Sequence, residues 1–228
     1  MGSAPVSEAA APQPIRPAAT IILTRQGPGG PEVLMGQRGA GAAFMPSKYV
    51  FPGGAVDASD AQVPLATPLD PLCQARLRGD IAAEALAAAA LRELFEETGL
   101  ALGVPGTWPV APPEGWAGFA ARGLRPVADG LRFVFRAITP PGRPRRFDAR
   151  FFLADAAQVA GDAEDFSAAC DELSHLHWIS LTEVRSLDLP FITEVVLSEV
   201  TLLMQGGVQP GVPFFDNSGT VPTFRRID

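Results

Sequence analysis

The 228-residue chain predicts an α/β domain. Two observations carry that prediction. Short runs rich in β-branched and aromatic residues, which read as strands, alternate with stretches of helical period. Two of those stretches are long enough for helices of several turns. Hydrophobic residues make up 47% of the chain, a normal complement for one buried core. The formal net charge is −7, and Lys48 is the sole lysine among 18 basic residues. An acidic chain without a basic block is poorly suited to non-specific nucleic-acid or anionic-membrane binding. Cys73 and Cys170 are the two cysteines; they cannot build a disulfide framework and fit a reducing compartment. No apolar run approaches the ~20 residues that span a bilayer. No charged n-region leads into an apolar stretch at the N-terminus. The expected location is cytoplasmic, with neither nucleic acid nor membrane as partner.

The elements follow in chain order. Residues 1–18 are rich in Ala and Pro and have no period, so they are expected to form a disordered tail. Residues 20–24 (TIILT) read as a strand, 26–31 as a turn, and 32–38 as the second strand of a hairpin. Residues 39–47 form a loop, and 48–51 a short strand stopped by Pro52-Gly53-Gly54. Residues 55–79 are irregular apart from one short helix, with Asp70 as its cap, Pro71 in the first position and Gly79 as its stop. Asp80 then caps a longer helix, about 81–98, built on an alanine run and ended by Gly99. A Pro- and Trp-rich connection covers 104–116, with a helix around 115–122. Strands follow at Arg132–Ile138 and 147–154, separated by the basic turn TPPGRPRR. Residues 177–181 read as a short strand. Residues 189–205 form a helix with Pro190 near its start and Gly206-Gly207 after its end. Ile192, Val196, Val200 and Leu203 share one stripe of it, which packs on the core or on a second copy in a homodimer. The remaining C-terminal residues look loop-like.

Chemistry concentrates in Arg92-Glu93-Leu94-Phe95-Glu96-Glu97-Thr98-Gly99-Leu100. On a helix, Glu93, Glu96 and Glu97 stand at i, i+3 and i+4 and share one stripe, while Leu91, Leu94 and Phe95 face a core. Three neighbouring carboxylates repel one another, and a divalent cation converts that repulsion into binding. Carboxylate oxygens suit Mg²⁺ and Mn²⁺, and Mg²⁺ takes only a few of them alongside substrate phosphates. The competing reading is a solvated acidic helix face. At average residue usage the fixed residues of R-E-U-x-E-E-x-G-U (U aliphatic) recur about once in 10⁶ positions, which favours the functional reading.

With Glu84 eight residues before Arg92 and Phe51-Pro52-Gly53-Gly54 upstream, the segment resembles the Nudix hydrolase signature, G-x5-E-x7-R-E-U-x-E-E-x-G-U. Glu84 to Leu100 matches its second half throughout. In the first half, 29 residues separate Gly54 from Glu84, 24 more than the signature's five. Such a loop is cheap in closure entropy. Three features are similar to the Nudix subgroup of the mammalian peroxisomal coenzyme A diphosphatase. They are this long insertion, residues 49–57 (YVFPGGAVD) with Asp60, and residues 146–152 (RFDARFF). The resemblance covers roughly residues 19–205. It implies a Nudix α/β/α sandwich with a mixed β-sheet, spanning 19–205 with an insertion at about 55–79, and a C-terminal extension at 206–228.

The resemblance further implies hydrolysis of a nucleoside diphosphate linked to another group, with Mg²⁺ or Mn²⁺ as cofactor. Glu96 and Glu97 are the expected metal ligands. Glu93 is a ligand or the base that orients water, and the Gly53 carbonyl is a further ligand. Arg92 orients a glutamate by ion pairing, and Glu84 is structural. Glu172 lies six residues before Trp178, which opens a W-U-x-L strand. Several Nudix proteins place a metal-binding or basic carboxylate there, with Asp171 the rival here and a solvated loop carboxylate the bland alternative. Arg143, Arg145, Arg146 and Arg150 form a cluster suited to phosphate recognition. Of these, Arg146 and Arg150, together with Arg38, are the expected substrate contacts; surface salt bridges are the alternative. His175 and His177 lack a third ligand, and neither cysteine carries a reactive motif. The leading substrate is coenzyme A or an acyl ester of it, although residues 41–48 depart from the coenzyme A-directed motif. ADP-ribose, NADH or a nucleotide sugar comes second, and a non-catalytic Nudix-like ligand-binding domain is the reading of another class.

Overall fold

A computed structural model describes residues 13–77 and 79–228. The strands are β1 (Ile15–Gly27), β2 (Gly30–Arg38), β3 (Tyr49–Val50), β4 (Gly53–Ala55), β5 (Gly103–Pro105) and β6 (Leu124–Pro126). They continue as β7 (Arg132–Ile138), β8 (Arg146–Asp155), β9 (Leu173–Ser180), β10 (Val212–Asp216) and β11 (Thr223–Ile227). The helices are α1 (Pro71–Arg76), α2 (Ala83–Thr98), α3 (Ala117–Ala121) and α4 (Phe191–Met204). A 9-stranded mixed sheet runs in the order β11-β10-β7-β8-β1-β2-β3, with β4 also on β1 and β9 also on β2. β5 and β6 form a separate two-stranded ribbon.

Side chains alternate across the sheet and split the core into two layers. Ala19, Ile21, Leu23, Leu34, Phe133 and Phe152 pack under α2 with Leu86, Leu91 and Leu94. Ile22, Val33, Met35, Val134, Phe135 and Phe151 pack on the opposite face, against Val196, Leu197 and Val200 of α4. The result is the expected α/β/α sandwich. The stripe of α4 predicted from its period turns inward.

Two termini differ from expectation. Residues 1–12 of the predicted tail lie outside the described residues, but 15–18 belong to β1. They are held there by a parallel ladder that pairs Ile15 with Arg146 and continues to Thr24 with Asp155. That pairing joins residues more than 130 positions apart and leaves no local signal. Residues 212–216 and 223–227, predicted loop-like, form the antiparallel β10–β11 hairpin, which extends the sheet beyond β7. β5 and β6 likewise arise within a stretch whose Pro and Gly read as connection.

Helix boundaries show which local signals act. Asp70 caps α1 by accepting from the Leu72 and Cys73 N–H groups, with Pro71 at the first position. α1 ends at Leu77, before the predicted Gly79 stop. α2 starts at Ala83 with Ala82 at its cap and no side-chain cap bond, so Asp80 falls two residues short of capping it. α2 ends where Gly99 takes φ +77° and its N–H reaches the Phe95 carbonyl. α1 fills core space with Cys73, and Leu69 and Leu77 flank it.

Candidate active site

α2 brings the glutamate stripe against β4. Leu91 and Leu94 anchor one side of the helix in the core, and the opposite side meets the two glycines after Pro52. The Gly53 N–H donates to Glu97 Oε2 at 2.7 Å. A Cβ on Gly54 would lie 2.4 Å from the Glu93 carboxyl group, so only glycine leaves that carboxylate its place. A Cβ on Gly53 would lie 2.7 Å from the Ala19 carbonyl and the Thr20 Cα. The β1–β4 ladder bonds join Ile21 N–H to the Pro52 carbonyl and Val56 N–H to the Pro17 carbonyl. The intervening pairs are Thr20–Gly53 and Ala18–Ala55. Alternation in an antiparallel ladder therefore turns the peptide groups of Gly53 and Ala55 away from β1. Both point at α2: Gly53 gives its N–H to Glu97, and Ala55 gives its carbonyl to Arg92. The Gly53 carbonyl leaves the strand on that same edge, where the sequence expected a ligand.

Arg92 organises the stripe. Its guanidinium donates to both oxygens of Asp60, Nε to Oδ1 at 2.9 Å and Nη2 to Oδ2 at 3.0 Å. Nη1 donates to Glu93 at 2.9 Å and to Glu96 at 3.1 Å. Asp60 is 1% exposed and also takes the Trp116 indole N–H and the Asp57 backbone N–H. One buried arginine thus ties the insertion to two of the three glutamates. Sequence reading quoted Asp60 only as part of a resemblance and missed this role. The available signal was an acidic pair, Asp57 and Asp60, at the start of an otherwise apolar stretch, together with an arginine that α2 had to bury. Glu84 accepts from Gln74 of α1 and is structural, as expected.

The electrostatics are those of an unneutralised carboxylate cluster. Burial pushes Glu93 up to about 7, against the pull of Arg92 and with a further push from Glu96 and Glu172. Burial, then the Glu93 charge, raises Glu97 well above the usual carboxylate range, and the Gly53 N–H opposes this. Burial raises Glu96 as well, again against Arg92. Arg92 stays charged because Asp60, Glu93 and Glu96 outweigh its own burial. Glu97 accepts a backbone N–H and no guanidinium. Among the described residues, no three His, Cys, Asp or Glu side chains converge into a ready-made metal cage. The donor set nevertheless fits a hard divalent cation. It offers three carboxylates, one of them partly exposed, and the Gly53 carbonyl on the same edge.

The remaining predicted residues divide. Glu172 sits just before β9 and pairs with Arg38 at 2.9 Å. Its charge acts on Glu93 and Glu97, and that of Arg38 on Glu97, so both stand at the edge of the stripe. The Cys170 N–H holds this loop to the Glu96 carbonyl at 3.1 Å. Arg146 is different. It is buried, with Nε on the Thr139 carbonyl and Nη2 on the Asn217 carbonyl, so it fastens the chain and is not presented to substrate. Arg150 is also buried, on Asp148, and burial lowers its pKa. His177 Nδ1 lies 2.7 Å from the His175 carbonyl, and the two rings form no metal pair. Trp178 packs at the core edge, with its N–H on the Ala163 carbonyl and Arg25 stacked 4.3 Å from its ring.

Comparison with known proteins places this geometry. The family model for the NUDIX domain matches residues 14–198. A solved structure of a NUDIX hydrolase from Alicyclobacillus acidocaldarius is 29% identical, covering 87% of this chain and 99% of that one, with a TM-score of 0.61. A curated protein of Caenorhabditis elegans, named "Putative nudix hydrolase 7", is 32% identical over 184 residues. That match takes in 74% of this chain and 52% of the relative, so the chain spans about half the length of that protein.

Proposed function

The chain belongs to the NUDIX family, and we propose that it is a divalent-metal-dependent hydrolase of a diphosphate bond. Its substrate would be a nucleoside diphosphate linked to another group. One observation carries the reading: a buried glutamate stripe whose third member, Glu97, accepts the Gly53 N–H and, among the described residues, no guanidinium hydrogen bond. Mg²⁺ or Mn²⁺, held by Glu97, Glu93 and Glu96 with the Gly53 carbonyl, would supply charge neutralisation for the diphosphate and a more acidic water. Arg92 holds Glu93 and Glu96 in place through Nη1. Glu96 is partly exposed, whereas Glu97 is buried and fixed by Gly53. Glu93, where it does not serve as a ligand, is the candidate base that takes a proton from water, and Glu172 is the second. Arg38, beside Glu172, is the remaining candidate for a substrate phosphate near the stripe.

Coenzyme A or an acyl ester stays the leading substrate. With Arg146 spent on carbonyls, this assignment rests on residues 49–57 with Asp60, on the insertion and on Arg38. ADP-ribose, NADH or a nucleotide sugar is the second choice. The test is a panel of these compounds incubated with Mg²⁺ or Mn²⁺ and read by product mass spectrometry. Metal-dependent cleavage of coenzyme A to 3′,5′-ADP and a phosphopantetheine is the expected result. Cleavage of ADP-ribose or NADH alone would move the substrate assignment. Binding without cleavage of any compound would leave a non-catalytic domain.

A further inference from the structure

A second charged site lies on the α2 face of the sheet. One register row crosses six strands there: Gly54 in β4, Ala19 in β1, Arg150 in β8, Arg136 in β7, Phe214 in β10 and Arg225 in β11. Directly paired residues share a face, and neighbouring strands stand ~4.8 Å apart. Arg136 is therefore roughly 14 Å from Gly54, and Arg225 roughly 24 Å. Between them, Ala19 is fully buried and Arg150 is buried on Asp148. Packed core thus separates the arginine end of the row from the glutamate stripe.

At that end the Phe214 ring stands between two guanidinium groups, Arg136 at 4.3 Å and Arg225 at 4.7 Å from its centroid. Stacking of this kind orients a guanidinium plane and leaves its N–H edge for an acceptor. Arg136 spends Nε and Nη2 on Asp148 and keeps Nη1. Arg225 is exposed and has no hydrogen bond or ion pair among the described residues. From across the gap, Arg76 in the last turn of α1 gives Nη2 to the Pro210 carbonyl, while its Nε is buried without a partner. Buried donors are rarely left unpaired, so this Nε asks for an acceptor. The three arginines line a cavity of about 330 Å³ with Ala75, Ile227 and Asp228, a volume at the small end of ligand pockets. Asp228 is its one carboxylate. Asp216 lies nearby, already bonded to the Ser218 N–H.

We propose that this cavity binds a phosphate monoester. The guanidiniums of Arg76, Arg136 and Arg225 hold the phosphate, and Ala75 and Ile227 receive the first carbons of the ester. The site is built by the insertion and the C-terminal hairpin, on an otherwise acidic chain. The phosphate belongs either to a substrate whose far end reaches this corner or to a separate phosphorylated molecule.

Inorganic phosphate is the probe, titrated calorimetrically into the full chain without metal, with chloride at equal ionic strength as reference. Phosphate is expected to bind and to raise the melting temperature beyond the chloride control. R225Q and R76Q each remove one charge-assisted contact and should weaken binding about tenfold or more. Arg225 is exposed, so R225Q should fold even if R76Q does not. E97Q should bind phosphate like the unaltered chain. A response to phosphate no larger than to chloride overturns the proposal. So does wild-type affinity in R225Q, which would mean an adventitious ion only. None of these outcomes depends on hydrolysis. Where hydrolysis is found, a KM raised by R225Q only for substrates bearing a phosphate monoester identifies the substrate as the source. An unchanged KM with phosphate binding intact identifies a separate molecule.

Discussion

The glutamate stripe and the arginine corner lie on the same face of one sheet, and they solve the problem of crowded like charge in opposite ways. At the stripe, three carboxylates meet one guanidinium, and Arg92 spends its donors on Asp60, Glu93, Glu96 and the Ala55 carbonyl. Glu97 is left to a backbone N–H, and burial disfavours its charged form. At the corner, Arg136 and Arg225 are separated by the Phe214 ring and open onto a cavity. The stripe is rigid and buried, with pKa values displaced upward. The corner is open; stacking on Phe214 orients Arg225, Asp148 also holds Arg136, and the Pro210 carbonyl holds Arg76. The first arrangement suits chemistry on a bound diphosphate, and the second suits capture of an anion.

The sharpest separation comes from Glu97→Gln. It removes the carboxylate that has no cationic partner and relieves its repulsion with Glu93. Hydrolysis should fall by about three orders of magnitude, an effect typical of losing a central electrostatic contributor. Unfolding of the metal-free protein should occur at an unchanged or higher temperature. Full turnover at saturating Mg²⁺ would remove Glu97 from the machinery and leave the stripe without its distinguishing member.

Asp60 tests whether the insertion belongs to the stripe. Asp60→Ala leaves the buried Arg92 without its two-oxygen partner. Breaking a buried pair by removing one member costs about 3–5 kcal/mol. Urea unfolding should show a loss of that size, and turnover should fall with it because Arg92 no longer holds Glu93 and Glu96. Asp60→Asn keeps the shape and should lose less. A change below about 1 kcal/mol in Asp60→Ala would make the insertion mere decoration of the box.

These two residues also mark how far the sequence could be read. Glu93, Glu96 and Glu97 were legible because helical period alone puts them on one stripe. Gly53 and Gly54 were legible because a strand-stopping Pro-Gly-Gly precedes that helix, here across 24 extra residues. The α4 stripe was legible for the same reason of period. Asp60 was not, since its partner is 32 positions away and the connection depends on how the insertion folds. The insertion read as irregular apart from one short helix, and nothing in it signalled that Leu69, Cys73 and Leu77 complete the core under α2. The corner was the least legible. Arg76, Arg136 and Arg225 are scattered along the chain, and the parallel β7–β10 pairing that joins them has no local signature. Arg146 and Arg150 looked better placed because they cluster in sequence, but alternation along β8 turns both toward buried partners.

The raised pKa of Glu93 gives the stripe a pH dependence of known sign. Its folded value of about 7 lies above the ordinary carboxylate value of 4.5. The folded state therefore holds a proton more tightly than the unfolded chain. That contribution is fully present below about pH 4.5 and is lost as pH rises through about 7. Moving from 4.5 to about 7 corresponds to about 3 kcal/mol. Unfolding free energies of metal-free wild type and Glu93→Gln should be measured from pH 5 to 8. The difference between the two curves should change by about that amount, with wild type losing ground as pH rises. Parallel curves would mean that Glu93 titrates like a surface carboxylate. Saturating Mg²⁺ should abolish the relative loss, because a cation then takes the place of the proton.

The smallest expected effect discriminates most finely, because it separates two adjacent glycines. A Cβ at position 54 would stand 2.4 Å from the Glu93 carboxyl carbon, the far end of a flexible side chain. Gly54→Ala should therefore push Glu93 off Arg92 at little cost to the fold, lowering turnover about tenfold with a melting temperature near that of wild type. A Cβ at position 53 would instead meet backbone, the Ala19 carbonyl and the Thr20 Cα at 2.7 Å, where neither strand can yield. Gly53→Ala should force β4 away from β1 and cost about 1–3 kcal/mol as an overpacked contact. It should also pull the Gly53 N–H from Glu97, so stability and turnover fall together. Circular dichroism melts and initial rates on the two variants read both quantities. If Gly54→Ala lost as much stability as Gly53→Ala, the glutamate stripe would be wedged against the sheet as firmly as the strands are paired. Glu93 would then lack the freedom that a base or an adjustable ligand requires.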